Sequence, residues 1–278
     1  MSILLGLLFS SLTGFAGYKK GALSESGALG AVLVGTAIFG FGGWVAGSVL
    51  IAFFISSSLL SFFKAEAKQK VAEKFDKGHR RDLGQTFANG GVAAIVAVLG
   101  VIWPGDWWWL AFLGAMATVT ADTWATEFGV LSKQPPRLIT TGKLTSPGTS
   151  GGITLAGSLA AFGGAIFIGL MAWLLLGAQQ LLGGALPVPY GRHLPLILVV
   201  GGAGFFGAMV DSFIGATWQV MYYCDSCHKE TEQSLHHACG DTPTRFIRGL
   251  RWLNNDLVNL ISSVAGALFA VAGALLLI

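Results

Sequence analysis

The chain has 278 residues, of which 53% are hydrophobic and only 11% charged, with a mean hydropathy of +0.67. Soluble domains carry about 25% charged residues, so this composition excludes a water-soluble globule and points to a chain solvated by lipid. The net charge of +3 is no sign of a nucleic-acid partner, because the basic residues lie in loops between apolar runs, where they report on topology.

Taken in order, the apolar segments are 1–17, 22–43, 44–63, 86–103, 107–131, 151–177, 195–222 and 254–278. A span needs roughly 20 apolar residues. The expected fold is therefore all-α: one integral membrane domain, a polytopic transmembrane helical bundle of about eight segments. Its 40 glycines are expected to let helix backbones pack closely. The first segment has no basic residue ahead of it; Lys19 and Lys20 follow it instead. That pattern reads as a retained helix, not a signal peptide. Residues 26–63 carry no charge over 38 positions, too many for one crossing at about 1.5 Å per residue. The stretch Gly40-Phe41-Gly42-Gly43 predicts a turn between two spans.

With eight spans, the loops 18–21, 64–85, 132–150 and 223–253 share one side and hold sixteen of the seventeen basic residues. The positive-inside rule makes that side cytoplasmic, with both termini outside. Two of these loops stand out, a basic one at 64–85 and a small Cys/His loop at 224–239.

The polar residues gather at the same face. Asp122 and Glu127 lie toward the cytoplasmic end of the fifth segment, and Asp211 is somewhat deeper in the seventh. Asn255, Asp256 and Asn259 open the last segment and Asn89 opens the fourth. Gly148, Thr149, Ser150, Gly151 and Gly152 lead into the sixth. Helices starting at this face present free N–H groups and positive dipole ends, which bind phosphate. Glycines at 148–152 would let a phosphate approach the backbone closely. Capping alone is the alternative reading for Asn254 and Ser150, and Asp82 reads as loop or cap. Asp122 and Glu127 are some 140° apart on a regular helix, so sharing one metal would need a kink or two ions. Asn255 and Asn259, four apart, share a face.

Carboxylates, carboxamides and a basic rim fit Mg²⁺ with a polyphosphate. Arg81 and Lys143 would offset phosphate charge. Asp122, Glu127 and Asp211 are the candidate Mg²⁺ ligands. No Walker motif is present, since no Lys-Ser/Thr follows the Gly-rich stretches.

Several blocks carry a resemblance. They are Ser24-Glu25-Ser26-Gly27-Ala28, Arg80-Arg81 with Gln85 and Asn89-Gly90, and Asp122-Thr123-Trp124-Ala125-Thr126-Glu127-Phe128-Gly129. Then follow Ile139-Thr140-Thr141, Pro147-Gly148-Thr149-Ser150-Gly151-Gly152, Asp211-Ser212 and Asn254-Asn255. Over nearly the whole chain this resembles the integral membrane domain-of-unknown-function-ninety-two family, which includes phytyl-phosphate kinase of the tocopherol pathway. The resemblance implies a membrane kinase converting a prenyl (phytyl) monophosphate to the diphosphate with a nucleoside triphosphate, CTP being the expected donor. A CTP-dependent lipid cytidylyltransferase and a prenyl alcohol kinase are the alternatives. An anion transporter fits less well, because its polar groups would sit near the midplane. Membrane lipids are expected partners, nucleic acid is not, and a homo-oligomer stays open.

All three cysteines of the chain fall within a short stretch. Cys224, Cys227, His236 and Cys239 have zinc-like spacing, with His237 as the alternative to His236. A structural Zn²⁺ is expected there; the alternative is three unmetallated thiols.

Overall fold

The structure, a computed structural model, describes residues 3–64, 80–186, 193–236 and 239–277. Most of the basic loop expected at 64–85, and His237, lie outside the described residues. Among the described residues there are seven helices: α1 (Ile3–Lys19), α2 (Glu25–Phe62), α3 (Leu83–Ile102), α4 (Trp107–Gly129), α5 (Leu155–Leu181), α6 (His193–Thr217) and α7 (Asn255–Leu277). Among the described residues, α2, α3, α5, α6 and α7 are long and apolar enough to cross a membrane, and α1 is a shorter apolar helix. Leu155, Leu159, Leu198 and Leu268 stand exposed along their outer surfaces, as side chains facing lipid do.

The uncharged run 26–63 forms α2 and its C-cap Phe63, a single run of helix, yet Gly43 breaks it with φ 81° and ψ −178°. A side chain resists that conformation and glycine does not. The two halves fold back on each other. A Cβ on Gly17 of α1 would touch both Leu23, just ahead of the first half, and Phe54 in the second. Arg81 likewise bridges Leu23 and bonds Ser58, so both ends of α2 lie at one end of the bundle.

Through the middle runs α4, packed on α2, α3, α5, α6 and α7. Every residue from 109 to 121 is buried, including Phe112, Leu113 and Met116 at 0% exposure. A helix apolar on all sides belongs inside a bundle. Thr118 turns its hydroxyl to the Gly114 carbonyl at 2.8 Å, and Gly207 of α6 and Gly266 of α7 lie against it, leaving no room for a Cβ.

Two boundaries move because strands take the place of helix. The sixth segment, predicted from 151, begins as helix at Leu155, because Gly152–Ile153 (β2) pairs with Arg137–Leu138 (β1) instead. The seventh, predicted to 222, ends as helix at Thr217, because Met221–Cys224 (β3) is already a strand. The purely helical expectation also left out a small β layer. There β3 pairs antiparallel with β4 (Lys229–Thr231) and β7 (Arg245–Arg248), while β5 (Leu235–His236) pairs with β6 (Thr242–Pro243). Strands of two to four residues are too short to print a period of two on a sequence.

Candidate active site

Six helix ends meet at one end of the bundle around a cavity of about 320 Å³. They are the starts of α3, α5 and α7 and the ends of α2, α4 and α6. Each start is well made. Asp82 caps α3 in a capping box with Gln85, Thr154 caps α5 through the Gly157 N–H, and Asn254 accepts the Leu257 N–H at 3.1 Å. Side-chain caps satisfy some of the free N–H groups and leave others directed at the cavity, with the dipoles' positive ends. Asn254 is thus the cap of α7 and also lines the cavity.

The structure brings together Arg81, Asn89, Asp122, Glu127, Gly148, Thr149, Ser150, Gly151, Gly152, Asp211, Asn255, Asp256 and Asn259 along this wall. Their partners divide the acids into two groups. Glu127 accepts the Ser61 hydroxyl at 2.5 Å and faces Arg81, whose guanidinium also donates to Ser58 at 3.1 Å. Burial pulls the Arg81 pKa below its ordinary value, and the Glu127 charge partly offsets this. Asp122 instead lines the cavity with Asp211, and Asp211 accepts the Ser262 hydroxyl at 3.1 Å. The angular separation of Asp122 and Glu127 on α4 therefore sends them to different neighbours. With Glu127 engaged by Ser61 and Arg81, Asp122 and Asp211 are among the cavity carboxylates that could hold a hard cation.

Arg81 owes its position to the first helical corner. Its N–H donates to the Ala22 carbonyl at 3.0 Å, and its carbonyl accepts the Ser24 N–H at 3.0 Å. Gly27 passes directly beneath that carbonyl, where a Cβ would overlap it.

The 148–152 stretch differs from its expected form. It is a loop leading into β2, not a helix start. Gly151 has φ +79°, and the space beside it is filled by α6, with a Cβ falling 2.5 Å from the Ala216 nitrogen. Close approach there serves packing against α6. Ser150 is no cap: its hydroxyl donates to Gln219 Oε1 at 2.7 Å, and Gln219 Nε2 donates to Glu232 at 2.8 Å. Lys143 is not brought to the cavity. Leu138 pairs with the Lys143 carbonyl at 2.9 Å and with the Gly142 N–H at 2.8 Å, which turns Lys143 out as an exposed tip.

Cys224, Cys227, His236 and Cys239 converge in the β layer, their ligand atoms all within 4.8 Å of one another. Mutual hydrogen bonding splits the thiols. The Cys227 N–H, then His236, push Cys224 down to about 6, while the Cys227 side chain pushes Cys239 up to about 12. A second, apolar cavity between α1, α2 and α3 is lined by Leu23, Val34, Leu50, Phe53 and Phe54, and shares Arg81 and Asn89 with the polar one.

The model of the integral membrane protein family DUF92 matches residues 8–267. The chain belongs to this family. Among its relatives, Protein PGR of Arabidopsis thaliana is 32% identical over 94% of this chain and 92% of its own. An uncharacterized membrane protein of Methanocaldococcus jannaschii is 29% identical over 91% of this chain and 86% of its own. The chloroplastic Protein VTE6 of Arabidopsis thaliana is 28% identical over 90% of this chain and 64% of its own. No solved structure matches. The expected family membership is borne out.

Sequence reasoning missed Ser58, Ser61, Gln219, Glu232 and Ser262. Each is an ordinary polar residue whose partner lies far along the chain: Ser61 is 66 residues from Glu127 and Ser150 is 69 from Gln219. No local pattern announces such pairs. Only the crowding of serines before the first basic loop gave a signal for Ser58 and Ser61.

Proposed function

We propose that this DUF92 protein is a membrane kinase that phosphorylates a prenyl monophosphate, of which phytyl phosphate is the expected example, using CTP or another nucleoside triphosphate. One observation carries the reading. Carboxylates from the middle of the bundle face three helix N-termini in a polar cavity that shares Arg81 and Asn89 with an apolar one. A lipid phosphate has those two halves. Its head group would lie in the polar cavity and the start of its chain in the apolar one. The family's resemblance to phytyl-phosphate kinase and the kinship with Protein VTE6 point the same way.

Five acidic residues line the polar cavity against one cation among the described residues, Arg81. A polyphosphate entering alone would be repelled, so the donor set fits Mg²⁺ arriving with it. Asp122 and Asp211 would hold that ion, which when bound neutralises charge on the donor phosphates. The chain's own groups do the rest. Asn89, Asn255 and Asn259 donate amide N–H groups to phosphate oxygens, and the N–H groups at the starts of α5 and α7 add fixed positive potential. Arg81, steered by Ser58 and Glu127, offsets charge on the phosphoryl in flight. A phosphate monoester has its second pKa near 6, so the acceptor is already a dianion at neutral pH and needs no base. Its oxygen attacks the terminal phosphorus, the bond to the bridging oxygen breaks, and a nucleoside diphosphate leaves.

Purified protein given labelled CTP, Mg²⁺ and a panel of prenyl alcohols and phosphates should release CDP and a prenyl diphosphate. Pyrophosphate release would replace the kinase with a cytidylyltransferase, and no turnover on any member of the panel would sink the reading. The same reading takes the fold-back of α2 as two spans, giving about eight crossings, with the cavity on the cytoplasmic side. Cysteines introduced as Lys143→Cys and Leu182→Cys should then react with an impermeant reagent from opposite sides, the former from the cytoplasm. Labelling of both from one side would defeat that topology.

A further inference from the structure

Cys224 and Cys227 sit at the β3–β4 turn, and His236 and Cys239 at the β5–β6 turn. Cys227 Sγ is 3.5 Å from His236 Nδ1. Tetrahedral zinc with Zn–S near 2.3 Å has sulfur–sulfur edges of about 3.8 Å, and these four ligand atoms all lie within 4.8 Å of one another. Cys224 is fully buried and His236 is 2% exposed, and the described cysteines form no disulfide. The layer holding them has strands of two to four residues and little core of its own, the setting in which a metal supplies stability.

From this layer a chain of side chains reaches the cavity. Glu232 follows β4 directly and lies four residues before His236. It accepts from Gln219 at 2.8 Å, and Gln219 accepts from Ser150 at 2.7 Å. Gln219 is 1% exposed, so its amide depends on these two partners. We propose that Cys224, Cys227, His236 and Cys239 hold one zinc ion, and that this ion fixes Glu232 and, through Gln219, the Ser150 loop at the cavity wall. The site is closed, with four protein ligands and no open position, which makes it structural. Binding releases the thiol protons, so the ligands are thiolates. Gln219 and Glu232 are positioning residues.

The ion itself is independent of the kinase reading, and both parts of the proposal are measured without turnover. Full-length protein purified without chelator should carry about one zinc per chain, and the Cys224→Ser/Cys227→Ser variant none. Hydrogen exchange then reads the coupling. Withdrawing zinc from the wild type should speed exchange of the Thr149 and Gly152 amides, which bond the Ser146 and Thr149 carbonyls. The expected rise is about fivefold or more, the equivalent of one net hydrogen bond. Gln219→Leu should show the same rise while keeping its zinc. Wild-type protein that holds no zinc and takes up no cadmium overturns the site. Unchanged exchange at 149 and 152 after zinc removal overturns the coupling. Should the cysteine variant fail to accumulate, chelation of the wild type decides both. A protein that passes these tests yet transfers no phosphate would sink the proposed function alone.

Discussion

Asp122→Asn should lower kcat at least about 100-fold, the scale of losing one preorganised electrostatic contact, while leaving the protein folded. The substitution keeps the shape of the side chain and removes its charge. Asp122 and Asp211 line the same cavity, and an asparagine fits the space of the aspartate it replaces. The thermal midpoint in detergent should hold, and that measurement separates lost turnover from unfolding. The Mg²⁺ concentration needed for half-maximal rate should increase, because one of the two carboxylates proposed to hold it is gone. Asp211→Asn should behave alike. Glu127→Gln should act differently, weakening the setting of Arg81 and leaving the Mg²⁺ requirement nearly unchanged. Wild-type turnover in Asp122→Asn would remove this residue from the chemistry.

Gly27→Ala should cost about 3 kcal/mol and abolish most activity, although it adds only one methyl group. That methyl would overlap the Arg81 carbonyl oxygen, a backbone atom that cannot swing aside as a side-chain tip would. Overpacking alone costs about 1–3 kcal/mol. Moving the Arg81 backbone also endangers its bonds to Ala22 and Ser24, each worth about 1 kcal/mol net. The guanidinium would then leave Ser58 and Glu127. A lowered thermal midpoint together with lost turnover is the expected outcome; a variant with both intact would show that the corner does not govern Arg81. The Ser-Glu-Ser-Gly block thus has a physical reading in this chain. Ser24 caps the helix and Gly27 leaves room for Arg81.

The sequence made some of this plain and hid the rest, for reasons that differ by residue. Apolar length and the positions of Lys and Arg suffice to find the helices and the face where polar residues gather. Asp82 could be read as a cap because capping is a contact over three residues. Thr154 is just as good a cap, yet glycines before it drew the predicted helix start too early. Lys143 was assigned to the cavity from nearness in sequence, but a hairpin of backbone bonds around Gly142 turns it out. Glu232 was invisible because it lies in the β layer's loop, with no local mark to tie it to the cavity it lines or to its partner Gln219. The β layer escaped notice because its strands are shorter than any periodic signal.

Gly43 has one more consequence, which concerns how the chain is threaded. As a straight helix, α2 would run about 57 Å at 1.5 Å per residue, nearly twice the roughly 30 Å of hydrocarbon it must cross. Folded back at Gly43, it returns to the side it left, and the bridge between Leu23 and Arg81 can close. The Leu23–Arg81 bridge thus holds the approach to α3 beside the approach to α2, and a single glycine lets the chain come back to it.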